Sequence, residues 1–202
     1  MPVSEIGLLR LRPTKSVDDP ELLTKLKAIQ QGLQDFTGYP FYFLQQKNDP
    51  HLIYLLGEWE SLDQHYKGLH GSSEFKERVG VMMEYFEFQW MAHYGFDMKD
   101  VDIHSYSIQV IRFCVDKENR EDFDSKVQGT VAAIVGASAQ RKVTHGWKLD
   151  EKTDKDEFVV LLSWENEQAS EGFARCKESK ALMALGEFAE LDMQEIHLLK
   201  GL

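Results

Sequence analysis

The alternation of apolar and polar positions divides the chain into one series of elements that occurs twice. In the first half, residues 5–12 (EIGLLRLR) read as a short, mostly apolar strand closed by Pro13. Asp18-Asp19-Pro20 then supplies a helix cap and a first-turn proline. Leu22, Leu26, Ile29 and Leu33 follow at spacings of four, three and four, which is one apolar stripe of a helix, and Gly38-Tyr39-Pro40 ends it. A strand over about 41–46, a turn at Asn48-Asp49-Pro50 and a strand over about 51–59 come next. Ser61 caps a short helix to about Leu69, and Ser72-Ser73-Glu74 starts another. Residues 81–94 (VMMEYFEFQWMAHY) are predicted to form a long last strand rich in aromatics.

The second half repeats the order. A strand runs from about His104 to Val115, with Arg112 in the place of Arg10, and a helix over about 118–136 carries Phe123, Val127, Val131 and Ile134 as its stripe. Two strands surround a turn at 151–156, short helices cover about 166–176 and 179–185, and a strand runs from about 187 to 199. Tyr42–Tyr66 overlays Trp147–Glu171 without a gap, so that Trp59-Glu60 falls on Trp164-Glu165 at an offset of 105 residues. A period near half the chain length is the mark of structural duplication. The expected domains are 1–96 and 104–202, joined by the polar segment FDMKDVDIH.

Each half is therefore β-α-β-β-α-β, the split pattern of ferredoxin-like folds, in which both helices cover one face of a sheet. The other face, drawing on Met83, Tyr85 and Met91 or on Met82, Phe86, Phe88 and Trp90, would be apolar and bare. The expected solution is an α+β fold in which the two halves pack sheet to sheet.

Composition narrows the function classes. Apolar residues make up 43% of the chain, with 12 Phe, 7 Tyr and 4 Trp, enough for packed cores and against disorder. The net charge of −11, with 34 acidic against 23 basic residues, argues against nucleic acid as a partner, because phosphate-binding surfaces need clustered Lys and Arg. Cys114 and Cys176 are the two cysteines and form no metal-binding spacing, which fits a reducing compartment. With no long apolar run and no signal-like start, the expected location is cytoplasmic, with no membrane partner. Neither a metal nor a nucleotide motif is present, so no cofactor is expected.

Trp59-Glu60-Ser61 with His70-Gly71-Ser72-Ser73-Glu74-Phe75, and Trp164-Glu165-Asn166 with Cys176-Lys177-Glu178-Ser179, carry a family likeness. With the β-α-β-β-α-β order, they resemble the dimeric α+β barrel superfamily and, more narrowly, its antibiotic biosynthesis monooxygenase (ABM) branch. The superfamily usually builds its barrel from two chains, so this sequence looks like a fused pseudo-dimer; whether that unit dimerises again is open. The resemblance implies a cofactor-independent monooxygenase or cyclase acting on a small aromatic or polyketide-like molecule. The alternative is a non-catalytic barrel that binds an apolar molecule or a partner protein. Haem-degrading relatives carry an iron-ligating His about seven residues after the helix Ser, where this chain has Gly80 and Gly186.

The resemblance places the ligand pocket between the sheet and the helices of one half, and puts forward His70 and Cys176 there. His70 is the candidate general base, since an imidazole titrates near working pH. Arg10 is the candidate anion-holding group. Trp59, Tyr66, Phe75, Phe88 and Trp90 are the candidate substrate-lining residues, with His93 and Tyr94 closing the same strand. Trp59 and Trp164, present in both copies, read equally as packing residues. His65 reads as a solvated helix residue, and Cys114 and Cys176 as inert thiols.

Overall fold

Strand β1 (Val3–Leu11) carries an inward stripe at alternate positions, Val3, Glu5, Gly7, Leu9 and Leu11, in which Glu5 is the one charged member. A computed structural model describes residues 2–69, 80–137, 142–150 and 154–202. The chain divides into two units, one of residues Met1–Met98 with Leu198–Leu202 and one of Lys99–His197.

In the first unit, helix α1 (Pro20–Thr37) starts where the cap signal places it. Asp19 accepts from the Glu21 backbone N–H, and Pro20 occupies the first turn, where its missing N–H costs no hydrogen bond. The helix ends at Gly38, whose φ of 79° is a left-handed conformation that favours glycine, and the Gly38 N–H donates to Gln34 O at 2.8 Å. Leu22, Leu26, Ile29 and Leu33 are buried against Leu9, Leu11, Phe43 and Ile53. Each such side chain contributes about 1.5–3 kcal/mol on burial. Strands β2 (Tyr42–Gln46), β3 (Leu52–Trp59) and β4 (Phe86–Tyr94) complete an antiparallel sheet in the order β4-β1-β3-β2.

Two features of this sheet depart from the sequence expectation. Residues 80–85 are helical, so β4 begins at Phe86 rather than at 81. Tyr85 and Phe86 consequently join the buried core with Leu9 and Leu11 instead of forming a bare face. The register of β1 on β4 also shifts between Leu8 and Leu9: Leu8 stands opposite Trp90 and Leu9 opposite Phe88, leaving Gln89 as the extra residue of a β-bulge. A one-residue slip turns every later side chain to the other face. Phe86 and Phe88 lie on the face of the β1 inward stripe, and beyond the bulge Met91 and His93 take over that face.

The second unit comprises β5 (Ser107–Asp116), α2 (Arg120–Ala137), β6 (Lys142–Trp147), β7 (Lys155–Trp164), α3 (Glu167–Ala174), α4 (Lys177–Ala184) and β8 (Ala189–Leu198). Its sheet is antiparallel in the order β8-β5-β7-β6. The predicted stripe Phe123, Val127, Val131 and Ile134 is buried against Phe113, Phe158, Val160 and Trp164. The Arg112 guanidinium donates to Glu157 at 2.7 Å. Arg10 and Arg112 are not matched positions. With Trp59 opposite Val3 and Trp164 opposite Ser107, the register gives Cys114 as the counterpart of Arg10 and Leu8 as that of Arg112. Cys176 caps α4, its Sγ accepting from the Ser179 N–H at 3.4 Å, and burial raises the Cys114 thiol pKa.

His145 of β6 packs on Phe158, with ring centroids 5.6 Å apart, and burial lowers its pKa below the ordinary 6.5 against a weaker opposing pull from Asp124. The unfolded chain therefore binds the proton more readily, and His145 takes stability away as pH falls through and below about 6.5. We expect a His145→Gln variant to lose less stability than the wild type between pH 7.5 and 5.5 in urea titrations; equal losses would show that His145 is not the titrating group.

Candidate functional site

The charged member of the β1 stripe meets two imidazoles. The Glu5 carboxylate, 2% exposed, stands directly across from His93 on β4 and from Gly57 on β3. Gly57 leaves room for the Phe41 ring, which a Cβ at that position would approach to 2.1 Å. Trp59, two residues beyond Gly57 on the same face, donates its indole N–H to Glu5 Oε2 at 2.8 Å. His65 comes from a π-helical turn, Gln64–Leu69, that follows β3. Its start is held by Ser61, whose Oγ accepts from the Gln64 N–H, while Gln64 Oε1 accepts from the Glu60 N–H. Such π turns are frequent at functional sites.

The three titratable groups converge through one atom each. His65 Nδ1 lies 2.9 Å from His93 Nε2, a hydrogen bond in which one ring carries the proton. Glu5 Oε2 lies 3.7 Å from His65 Nδ1 and 3.5 Å from His93 Nε2. His65 is 3% exposed and His93 is fully buried. The Trp59 indole stacks on His65 at 4.3 Å between centroids and meets Phe41 edge-on at 5.3 Å. Tyr66, 45% exposed, covers the imidazoles from outside, its ring 5.0 Å from His65 and 5.4 Å from His93. A carboxylate beside two imidazoles in an apolar setting can hold a proton on either ring, or hold a cation.

The sequence-predicted residues divide accordingly. Trp59 and Tyr66 belong to this cluster. Arg10 lies on the other face of β1, about 17 Å along the strand from Glu5 at the usual rise, and pairs with Asp49 at 3.2 Å. The Asp49 carboxyl is held below its usual pKa first by the His51 backbone N–H and also by Arg10. Trp90 also faces away from the cluster, edge-on to Tyr54 at 6.1 Å, and Phe88 is 52% exposed before the bulge. His70 and Phe75 lie outside the described residues. His65 is a correction: it is buried against Trp59 rather than solvated, because the π turn points it at the sheet. Glu5 and His65 were missed as site residues. The signal available was a lone acid in the inward stripe of β1, where every other position is apolar or glycine.

The second unit does not repeat the cluster. By register, Gln109, Glu195 and Trp164 occupy the positions of Glu5, His93 and Trp59, and Ser170 stands six residues after Trp164 as His65 does after Trp59. Gly80 and Gly186 have no side chain that could ligate a haem iron.

No family model and no curated protein matches the sequence. Solved structures match the fold. A "putative monooxygenase" from Lactobacillus acidophilus NCFM superposes with a TM-score of 0.66 at 10% identity, over 98% of this chain and 93% of its own. An anthrone oxidase-like protein gives 0.68 at 14% identity, over 98% and 91%. A mutant chlorite dismutase from Candidatus Nitrospira defluvii gives 0.64 at 9% identity, over 98% and 92%. At this identity the likeness establishes a shared fold and nothing finer.

Trp59→Phe keeps the ring and removes the N–H that Glu5 accepts. Hydrogen bonds to charged groups are worth about 1.5–3 kcal/mol, and a buried carboxylate left short of a donor costs in the same range. Urea denaturation of Trp59→Phe should show a loss of about 1.5–3 kcal/mol; an unchanged midpoint would mean that Glu5 is satisfied without the indole.

Proposed function

We propose that the first unit carries the active site of an ABM-like oxidase, monooxygenase or cyclase acting on a small, flat, electron-rich aromatic or polyketide-type molecule. The observation that carries this reading is the Glu5–His65–His93 cluster, buried on the helix-covered face of the sheet beneath an aromatic rim of Trp59 and Tyr66. The fold shared with a monooxygenase-type and an anthrone oxidase-like protein supports the reaction class. On this reading the tandem halves are a fused pseudo-dimer, which leaves one half free to carry the chemistry and the other to diverge.

The imidazole pair accepts a proton from an acidic carbon or phenol of the substrate, and Glu5 stabilises the imidazolium that forms. The substrate anion then passes electrons to dioxygen. For an anthrone, the activated CH2 becomes a ketone, one oxygen atom staying on carbon and the other leaving as water. His70, on the segment after the π turn, is the second candidate base and Phe75 a candidate substrate contact, whereas Arg10 and Trp90, on the other face of the sheet, and the exposed Phe88 lie away from the cluster.

Oxygen uptake with anthrone and with simple quinols, paired with chromatographic detection of the ketone or quinone, tests the reading. Turnover that falls about 10²- to 10⁴-fold in His93→Gln supports the cluster as base. Loss in His70→Ala with His93→Gln fully active moves the base to His70. Tight binding of the aromatic without turnover or oxygen uptake would refute the enzyme and favour a binding barrel.

A further inference from the structure

We infer that Glu5 Oε2, His65 Nδ1 and His93 Nε2 form a binding site for a divalent transition-metal cation, which goes beyond the reaction proposed above and takes the place of the proton that reaction puts on the ring pair, so that metal-bound and base-competent states exclude each other and each is tested separately. The three atoms make a triangle with sides of 2.9, 3.5 and 3.7 Å. The point equidistant from all three lies about 2.0 Å from each, close to the usual length of zinc–nitrogen and zinc–carboxylate bonds. A cation held at such bond lengths sits just out of the ligand plane, as in three-ligand sites that keep positions open for water or substrate.

The donor set selects the class of metal. Two imidazoles with one carboxylate suit zinc, iron(II), cobalt(II) or nickel(II), and magnesium and calcium prefer all-oxygen shells. Charge points the same way. Glu5 is buried with no Lys or Arg ion pair among the described residues, and with two neutral imidazoles the cluster is one negative charge in an apolar setting. A proton shared by the rings offsets that charge; a divalent cation does so with all three atoms used as ligands. The surroundings already hold the ligands in place. Trp59 donates to the ligating oxygen itself, the outer-shell contact that orients a carboxylate toward a metal. Glu5 and His93 are locked as a cross-strand pair by the bulge, and the π turn with its cap sets His65.

The test is titration of chelator-stripped, full-length protein with cobalt(II), read by visible absorption and by proton NMR. One saturable equivalent per chain is expected, with ligand-field bands and two exchangeable, paramagnetically shifted imidazole N–H resonances. Glu5→Gln and His65→Ala should each abolish the bands, Trp59→Phe should weaken affinity about 10- to 100-fold, and His51→Ala, on the exposed turn before β3, should change nothing. Absence of saturable binding to the wild type overturns the site, as do bands retained in folded His65→Ala. If the ligand variants fail to fold, the wild-type NMR spectrum decides: fewer than two shifted imidazole N–H resonances rejects the site. No turnover is needed for the readout, so a protein that binds cobalt and oxidises nothing refutes the reaction alone. Turnover without cobalt binding refutes the site alone.

Discussion

A buried carboxylate in a sheet of apolar side chains is the constraint to which the first unit is fitted. Removing an ionised group from water costs several kcal/mol even after relaxation, so Glu5 persists only where donors and countercharge are brought to it. Each neighbouring element supplies one. Strand β3 ends in Trp59, whose N–H reaches Glu5 at 2.8 Å; β4 delivers His93; the π turn delivers His65. Gly57, opposite Glu5, admits Phe41, which closes the apolar wall beside the indole. A replacement of any of these changes the dielectric and the partners of the same oxygen atom.

The bulge at Leu8/Leu9 is the geometric device behind that arrangement. On an unbroken β4, Phe86 and Phe88 would share a face with Trp90 and Ala92, and His93 would point away from α1. With Gln89 as the extra residue, Phe86 packs in the α1 core and His93 faces Glu5. One inserted residue therefore lets a single edge strand contribute to the hydrophobic core at one end and to the polar cluster at the other.

Most of the architecture was legible because it rests on local chemistry. The stripe of α1, its Asp19 cap and Gly38 stop, the turn at Asn48-Asp49-Pro50, and the repeated strand ending in Trp59 and Trp164 are all written in residues close together in sequence. The departures are non-local. VMMEY at 81–85 has the composition of a strand, but it is helical and leads Tyr85 and Phe86 into the core under α1. A bulge depends on the partner strand and leaves no composition signal in β4. The Arg10–Arg112 match failed for the same reason, since equivalence is set by cross-strand register rather than by spacing. Of the site, Trp59 and Tyr66 were visible as aromatics near the end of β3, whereas His65 on a charged, polar segment carries no pattern that predicts burial.

The two units differ in what surrounds the tryptophan that ends the third strand. Both keep the tryptophan that ends the third strand, and both bury it. In the first unit its N–H serves a carboxylate; in the second the matching strand position is Gln109, a neutral side chain that needs no countercharge. With Glu195 in the His93 position and Ser170 in the His65 position, the second unit has neither imidazole. Packing alone explains the tryptophan, which is common to both units, but not an acid and two histidines present in one. The same topology in the second unit does without a charged cluster, so the topology itself does not call for one. The cluster's presence in the first unit, against the cost of burying Glu5, is the observation on which the functional proposal rests.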